Sequence, residues 1–455
     1  MSRLNGIFIG DGLGARIMRS AALTIFGFGA SQALRLASNL ILTRLLFPEA
    51  FGVMVLVGLI MMGLAMFSDI GIGPSIMQNK RGDDQDFLDT AWTIQVIRSV
   101  LLWVTASLLA WPMAQFYGVP DLVQLLPAAA LSLLVMGFIP TRYETANRHL
   151  MLGRVTVLDL INQVIGLALA VGLAYAFRSV WALVISGVIG STLQVILYMA
   201  FLPGVHNRFR WEKSAGAELI RFGRWIFLST VAGFVLSQGD KAVLGKFLSL
   251  ETLGIYNIGY FLASFPLLLG GMVVRRLLIP IYREKPPEKS VENFAALQKM
   301  RFTLSGLILL TLAIFAFSGV VLVQFMYDPR YHLAGAIVVV IAVMQLPNLV
   351  ALTYDQSALA AGDSQRFFLL AATRAVLTIA GLLIGVFWAG LLGALIGQGI
   401  AMALAYPVVV WLAKKQGAWD PLHDFVVTIA GIALGFAAIW MNWAAVAQLF
   451  ALKLP

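Results

Sequence analysis

The stretch TIFGFGASQALRLASNLILTRLLFPEAFG, residues 24–52, combines an apolar helix long enough to cross a bilayer with a cation inside it. Arg35 lies past the middle of the apolar run, with Gln32 before it and Asn39 after it. Spacings of three and four residues place these side chains on one helical face. Because a charge inside hydrocarbon costs about 2.5–3.5 kcal/mol on insertion scales, we expect this face to point into a protein interior or a wet cavity.

The same pattern recurs in the second half of the chain. A shift of 202 residues superposes four pairs of similar or identical residues: Leu42 on Leu244, Arg44 on Lys246, Glu49 on Glu251 and Gly52 on Gly254. The same shift sets Asn39 on Lys241. These matches occupy equivalent places in two hydrophobic hairpins. We therefore interpret the chain as two copies of one membrane bundle.

The composition is that of a membrane protein. Of the 455 residues, 60% are hydrophobic and 12% are charged, and the mean hydropathy is +0.88, whereas soluble domains average about 25% charged residues. Continuous apolar runs exclude a transmembrane β-barrel, whose strands alternate polar and apolar residues. The net charge of +10 is explained by cations in cytoplasmic loops, so we expect no nucleic-acid partner. The absence of cysteine excludes disulfides and thiolate metal sites.

The apolar runs predict an all-α polytopic protein with two six-helix bundles and one additional C-terminal helix. The predicted spans are 17–43, 51–77, 88–111, 122–143, 155–177, 180–202, 219–247, 252–281, 301–325, 334–360, 367–388, 391–412 and 425–443. The predicted regions are a cytoplasmic tail (1–16), an N-terminal lobe (17–202), a cytoplasmic linker (203–218), a C-terminal lobe (219–414) and a further transmembrane segment (415–455).

The distribution of loop cations predicts the orientation. Most loop cations fall on one side of the predicted spans, including Arg3, Arg16, Arg19, Lys80, Arg81, Arg148, Arg154, the linker cluster from Arg208 to Arg224, Lys299, Arg301, Arg366, Lys414 and Lys415. Cytoplasmic loops carry such an excess, so we predict a cytoplasmic N-terminus. Six crossings separate the two copies, which then have the same orientation and a pseudo-two-fold axis along the membrane normal.

No reaction centre is evident. The sequence has no zinc-protease motif, no phosphate-binding loop and no pair of carboxylates at catalytic spacing, so we predict a protein that is not an enzyme and that needs no cofactor or metal. Polar residues inside the spans are the unusual feature, and intramembrane charges commonly mark substrate or ion pathways. Several cations and few anions favour an anionic cargo. The predicted substrate-binding residues are Arg35, Gln32, Asn39, Lys241, Arg275 and Arg142, and the predicted ion-coupling residues are Asp69 and Asp240.

Structural roles compete with these assignments. Residues at span ends, such as Glu144, Asp159 and Arg276, can snorkel to the interface or cap a helix. Charged residues deeper in the spans can form static pairs that stabilise packing, and this alternative applies to Asp69, Arg98, Asp240 and Lys241.

The two hairpins resemble those of a known family. The segments LTRLLFPEAFGVM (Leu42–Met54) and LGKFLSLETLGIYNIGYFLA (Leu244–Ala263) are similar to the first and seventh helix hairpins of Wzx-type polysaccharide exporters of the multidrug/oligosaccharidyl-lipid/polysaccharide exporter superfamily. ETANRHLMLGR (Glu144–Arg154) and QSALAAGDSQR (Gln356–Arg366) resemble the ends of that family's fourth and tenth helices. A shift of 212 residues aligns Arg154 with Arg366 and Asn162 with Arg374.

The resemblance implies a transporter of the bacterial inner membrane. Its two six-helix lobes would surround a cavity that opens alternately to each side. Its cargo would be an undecaprenyl-pyrophosphate-linked oligosaccharide, and its partners would include membrane lipid and, as candidates, a polysaccharide polymerase and a chain-length regulator. Arg35 and Lys241 map to cavity-facing positions of the family.

Three alternatives remain open at this point. A drug or organic-cation antiporter of the superfamily would favour cavity carboxylates over cations. A lipid II flippase usually carries fourteen helices. A membrane polymerase or ligase would carry a large external loop, whereas the predicted external loops here are short.

Overall fold

A computed structural model describes residues 13–284, 286–355, 357 and 363–452. Within these residues the chain is built from helices and contains no strand. Helices satisfy all backbone hydrogen bonds inside one segment, which an apolar chain needs when lipid replaces water around it. The predicted all-α fold class is confirmed.

Contacts divide the chain into two compact units. Unit 1 comprises residues Met1–Leu46 and Leu56–Val231, and unit 2 comprises Phe47–Val55 and Ala232–Pro455. The first turns of the second helix therefore belong to unit 2. The predicted division into tail, lobes and linker stays a prediction.

Among the described residues, unit 1 contains six long helices and two short ones, of which the second long helix begins in unit 2. In chain order the helices are α1 (Leu13–Leu45), α2 (Pro48–Phe67), α3 (Ile72–Gln78), α4 (Gln85–Tyr117), α5 (Leu122–Met136), α6 (Arg142–Arg148), α7 (Leu152–Phe177) and α8 (Trp181–Phe201). Helix α9 (Lys213–Phe247) begins in unit 1 and ends in unit 2.

The helices of unit 1 pack in a chain of neighbours. Helix α1 packs against α7, α7 against α8, α8 against α5, and α5 against α4. Gly27 allows the closest approach between α1 and α7, because a Cβ added there would lie 2.1 Å from the Thr156 methyl group. Small residues bring membrane helices together in this way.

Unit 2 follows with the remaining helices. They are α10 (Leu250–Glu284), α11 (Val291–Met326), α12 (Leu333–Met344), α13 (Leu346–Leu352), α14 (Ser364–Leu404), α15 (Tyr406–Lys415), α16 (Pro421–Met441) and α17 (Trp443–Val446). Helix α12 packs against α10, α11 and α14, and α16 packs against α11 and α13. Helix α16 occupies the place of the predicted additional C-terminal span.

Helix α14 is a hairpin of two limbs. Ala389 and Gly390 leave the helical conformation, and Gly390 has a φ of 56°, which favours glycine. The limbs then approach closely, since a Cβ on Gly385 would lie 2.0 Å from the Gly393 carbonyl oxygen and one on Gly381 would lie 2.3 Å from the Gly397 carbonyl oxygen. The first limb corresponds to the predicted span 367–388, and the second limb together with most of α15 corresponds to the predicted span 391–412.

Three predicted spans are broken by turns. Helix α2 ends at Phe67, and Gly71, with a φ of 66°, precedes α3, so span 51–77 is interrupted. Residues 137–141 separate α5 from α6 within span 122–143. The segment Pro329–Met344 meets Leu346–Leu352 at a bend of 42° within span 334–360. Continuous apolarity predicted the spans but gave no signal for these turns.

The starts of α2 and α10 cross closely inside unit 2. A Cβ on Gly52 would lie 2.0 Å from the Leu250 carbonyl oxygen, and a Cβ on Gly254 would lie 2.0 Å from the Pro48 carbonyl oxygen. Gly52 and Gly254 are the positions that the 202-residue shift superposes. The repeat therefore conserves a reciprocal backbone contact that only glycine permits.

The helices are suited to a membrane. In the described part of the chain, eight helices are long and apolar enough to cross a bilayer, and the bent pair makes a ninth. The 51-residue segment Gln365–Lys415 is counted as one of these eight helices, although most of the α14 hairpin lies inside it. The chain is a multi-pass membrane protein.

Candidate functional site

The predicted binding face lies on α1 in unit 1. Arg35 is exposed, while Gln32 and Asn39 are half-buried. One turn earlier, the Ser31 carbonyl oxygen accepts a hydrogen bond from the Gln163 amide at 3.2 Å, which fixes α1 against α7. The three predicted side chains thus lie along one stripe of a helix whose rotation is set by its neighbour.

The Arg98 side chain extends from α4 and binds the C-terminal end of α2. Its Nε donates to the Ser68 hydroxyl at 2.9 Å, and its Nη2 donates to the Ala65 carbonyl oxygen at 2.7 Å. The carbonyls of a helix end need such donors. Asp69 follows in the turn, where its carboxylate accepts from the Gly71 amide at 2.9 Å. Asp69 therefore stands at a helix break and not within a continuous span.

Arg142 is buried, and its guanidinium binds protein groups. Nη1 donates to the carbonyl oxygens of Met199 and Leu202, each at 2.9 Å, and Nη2 lies 2.9 Å from His206 Nδ1. Helix α8 ends at Phe201. These contacts make Arg142 a cap for α8, and we leave it out of the binding set proposed below.

Asp240 and Lys241 are adjacent in the sequence but differ in burial and in hydrogen-bond partners. The Asp240 carboxylate is 4% exposed and accepts a hydrogen bond from the Tyr256 hydroxyl. Lys241 is half-buried, donates from Nζ to Gln238 at 3.1 Å and lies 5.3 Å from the centre of the Tyr260 ring. The carboxylate is buried against Tyr256 of α10, whereas Lys241 is only half-buried.

Two further arginines that the sequence places inside predicted spans of unit 2 are Arg275 and Arg374. The side chain of Arg275 lies outside the described residues, so its predicted role stays a prediction. Arg374 forms a two-pronged ion pair with Asp355, with N to O distances of 2.7 and 2.9 Å. The position that the 212-residue shift aligns with Arg374 is Asn162, whose buried Oδ1 has no hydrogen-bond partner among the described residues. The 212-residue shift therefore aligns an ion-paired arginine with a buried amide.

Sequence reasoning missed a buried polar cluster in unit 2. Arg301, counted above among the cytoplasmic loop cations, lies inside α11 and is fully buried. Its guanidinium donates to the Ala418 carbonyl oxygen and the Tyr282 hydroxyl, and it stacks 4.3 Å from the centre of the Tyr354 ring. The placement of Arg301 in a loop was wrong, because α11 begins at Val291, ten residues before the predicted span.

The same cluster contains a histidine and an aspartate from α16. The His423 ring lies 3.0 Å from Asp424 through Nδ1 and 2.9 Å from the Ser305 hydroxyl through Nε2. Asp424 also accepts hydrogen bonds from the hydroxyls of Tyr354, at 2.7 Å, and Tyr406, at 2.6 Å. The scattered histidines gave no sequence signal for this network, which depends on the packing of α16 against α11.

A second cluster holds the segment after α8 against the start of α4. Arg81 forms a two-pronged ion pair with Glu212, at 2.9 and 2.7 Å, and the Glu212 amide donates to the Thr90 hydroxyl at 3.0 Å. The hydrogen bond from Arg81 lowers the pKa of the Glu212 carboxyl to about 2. We call these contacts, together with the Arg210–Asp86 ion pair at 2.7 Å, the linker clamp.

Comparison with known proteins identifies related chains. TuaB of Bacillus subtilis (strain 168), a teichuronic acid biosynthesis protein, is 24% identical over 235 residues, or 51% of this chain and 48% of TuaB. WzxC of Escherichia coli (strain K12), a lipopolysaccharide biosynthesis protein, is 23% identical over 289 residues, or 62% of this chain and 56% of WzxC. The chain thus spans about half the length of these curated relatives.

A solved structure supports the fold. The lipid II flippase MurJ, in an inward closed conformation, aligns with a TM-score of 0.69, covering 95% of this chain and 97% of that chain at 13% identity. At this identity the similarity shows the fold alone. The profile of a family described as polysaccharide biosynthesis proteins matches residues 41–334, more than half of the chain. The resemblance to polysaccharide exporters drawn from the two hairpins is confirmed: the chain belongs to the polysaccharide biosynthesis protein family.

Proposed function

We propose that this protein is a flippase that carries undecaprenyl-pyrophosphate-linked oligosaccharide units across the bacterial inner membrane for surface polysaccharide synthesis. The observation that carries the proposal is an exposed arginine within α1, a helix of 33 residues, in a chain of this family. Arg35 shares its face with Gln32 and Asn39, whose amides can hydrogen-bond sugar hydroxyls. A guanidinium fork suits bidentate contact with phosphate oxygens.

The carboxylates inside the spans are less accessible than Arg35, and this difference favours an anionic cargo over a cationic one. Those of Asp69, Asp159, Asp240 and Asp355 each accept a hydrogen bond from a protein donor. A cation antiporter would need exposed carboxylates in its spans, whereas these four are buried or half-buried and Arg35 is exposed. We propose Lys241 as a second cationic contact.

Replacement of Arg35 tests the proposal. Arg35→Ala should reduce export and binding of undecaprenyl pyrophosphate in nanodiscs by about ten- to a hundred-fold, because a lost charged hydrogen bond costs about 1.5–3 kcal/mol. Arg35→Lys should restore part of the loss, since a point charge cannot reproduce the fork. Export is measured by surface polysaccharide in a strain that lacks its own flippase.

Arg44→Ala is the matched control. Arg44 is an exposed arginine on the same helix, nine residues on and therefore on the opposite face. The Arg44→Ala variant should export at the wild-type rate. Wild-type export by Arg35→Ala at normal protein abundance would make Arg35 a packing residue and remove the main support for the proposal.

We also propose that the N-terminus and residues 203–218 lie in the cytoplasm, from the loop cations. A single-cysteine variant is clean because the chain has no cysteine. Ala217→Cys is exposed on the first turns of α9 and should resist an impermeant maleimide in intact cells while reacting after lysis. Labelling in intact cells would reverse the proposed orientation.

A polymerase and a chain-length regulator are proposed as partners, because the unit delivered outside is the substrate of polymerisation. Neighbouring genes for glycosyltransferases and a polymerase would support this reading over drug transport.

A further inference from the structure

We infer that unit 2 contains a binding site for one acyl chain of an anionic glycerophospholipid, separate from the proposed cargo face. A cavity of about 760 Å³ lies between α16, the α12–α13 bend and the second limb of α14. Apolar side chains line most of it, among them Leu346, Val350, Ile400, Val427 and Ile432. The inference does not depend on the proposed cargo.

One side of the cavity opens at the outer surface of the helices. Phe425, Ile429 and Phe436 line it and are 67%, 53% and 75% exposed. On a membrane helix such residues face hydrocarbon, so a chain can enter from the bilayer without crossing water. Thr428 and Ala403 are small exposed residues that leave the interior open.

The opposite end of the cavity is polar. Asp424 and Tyr406 line it, and their hydrogen bond joins it to the buried cluster. Because Asp424 also accepts from Tyr354 and faces His423, protein donors surround its carboxylate.

Donors for a headgroup lie at this polar end. Trp419 lines the cavity. Lys414 Nζ lies 4.2 Å from the centre of the Trp419 ring, and Lys414 and Lys415 are both exposed. Exposed lysines attract anionic lipid headgroups, and tryptophan is enriched at the boundary between hydrocarbon and headgroups.

The opening of the cavity favours a lipid of the bilayer. Because one side of the cavity is open to hydrocarbon, a chain longer than the cavity can extend out of it, and the volume of about 760 Å³ sets no upper limit on chain length. Lysines beside a membrane span attract the anionic glycerophospholipids of the bilayer. We therefore commit to a glycerophospholipid, and competition with undecaprenyl phosphate tests this choice against the lipid of the cargo.

Native mass spectrometry of the full-length protein with deuterated phosphatidylglycerol tests the inference. Wild-type protein should retain one labelled lipid after delipidation. Ala403→Trp fills the cavity and should lower the retained lipid at least ten-fold. Ala433→Trp, an exposed alanine on α16 that does not line the cavity, should retain the lipid as wild type does.

The headgroup contacts are tested separately. The double variant Lys414→Gln and Lys415→Gln should weaken phosphatidylglycerol binding by about three- to ten-fold. Zwitterionic phosphatidylcholine should bind less well than phosphatidylglycerol to the wild type. Lys289→Gln, an exposed lysine outside the cavity, is the control.

Three results would overturn the inference. One is equal lipid retention by Ala403→Trp and wild type. Another is displacement of labelled phosphatidylglycerol by an equal amount of undecaprenyl phosphate, which would assign the cavity to a polyprenyl lipid. The third is equal binding of phosphatidylcholine. Arg35→Ala should retain the phospholipid, so failure of the cargo proposal and failure of this one are distinguishable.

Discussion

Arg35 in unit 1 and Arg301 in unit 2 are both arginines in long helices, but their environments are opposite. Arg35 is exposed on α1, among two amides spaced along one face. Arg301 is fully buried on α11, between a carbonyl, a tyrosine hydroxyl and an aromatic ring. A fully buried cation is out of reach of a ligand and serves the fold, whereas an exposed cation on a helix of a membrane protein can contact a ligand.

Arg301 should therefore be the stronger determinant of stability. Arg301→Ala leaves the Ala418 carbonyl and the Tyr282 hydroxyl without this donor and opens a cavity, and the free energy of unfolding should fall by roughly 2–5 kcal/mol. Thermal unfolding of purified protein and its abundance in cells are the measurements. Export should fall only as far as abundance falls.

The exposed Arg154 supplies the control for this comparison. Arg154→Ala should leave the melting temperature unchanged, as should Arg35→Ala. If Arg35→Ala lowers the melting temperature as much as Arg301→Ala does, the distinction between a ligand-facing and a structural arginine is wrong.

The sequence predicted one member of this pair and misplaced the other. Arg35 interrupts an apolar run, so its unusual position can be read from local sequence. Arg301 lies at the edge of a run, where a loop cation and a buried helix residue look alike. Its burial depends on the loop at Ala418 and on α16, which are more than a hundred residues away. Long-range packing of this kind leaves no local pattern.

Asp240 and Asp69 give a second comparison, between an enclosed and a turn carboxylate. Both are proposed ion-coupling residues, because an intramembrane carboxylate can change charge during a cycle. Asp240 is buried against Tyr256, whereas Asp69 is half-buried and bonded to a backbone amide. Enclosure makes charging costly, so Asp240 is the stronger candidate.

Asp240→Asn should lower gradient-driven export by about ten-fold and leave the residual export insensitive to the proton or sodium gradient. Asp69→Asn should have a smaller effect. Tyr256→Phe removes the hydroxyl donor but keeps the carboxylate, so it should retain the response to the gradient. Transport into vesicles with imposed gradients is the measurement. Normal export that stays gradient-sensitive in both aspartate variants would exclude these two residues as coupling sites.

The helices of the fold were predictable because each carries its own signal. Apolar length located the spans, and Gly52 and Gly254 marked a repeat whose members contact each other at the backbone. The turn after α2 was not predictable in this way. It depends on the Asp69 bond to the Gly71 amide and on donors from Arg98 in α4, and a hydropathy pattern contains neither.

The linker clamp should show the smallest effect, because its ion pairs are solvent-exposed, in contrast to the Arg301 cluster. The pKa of Glu212 is lowered from 4.5 to about 2 by Arg81 first and by Ser214 second. A carboxyl whose pKa is lower in the folded protein contributes stability above the unfolded value, and that contribution is lost as the pH falls from about 4.5 to about 2. The pKa of Asp83 is also lowered, mainly by its hydrogen bond with His149, so acid weakens both contacts together.

Amide hydrogen exchange of residues 208–212 reports the clamp, since the Glu212 amide is held by Thr90 and the Arg210 amide by the Thr93 hydroxyl. At neutral pH, Arg81→Gln should raise exchange in this segment by no more than about five-fold and leave the melting temperature unchanged. Arg154→Gln is the exposed control. In the wild type, protection of this segment, corrected for the intrinsic pH dependence of exchange, should fall below pH 4.5. Arg81→Gln should show a smaller step, because it has already lost the Glu212 ion pair while the Arg210–Asp86 ion pair remains. An acid step of the same size in both proteins would show that the hydrogen bonds to α4, and not Arg81, hold the segment. The linker clamp could then not be described as a weaker counterpart of the Arg301 cluster.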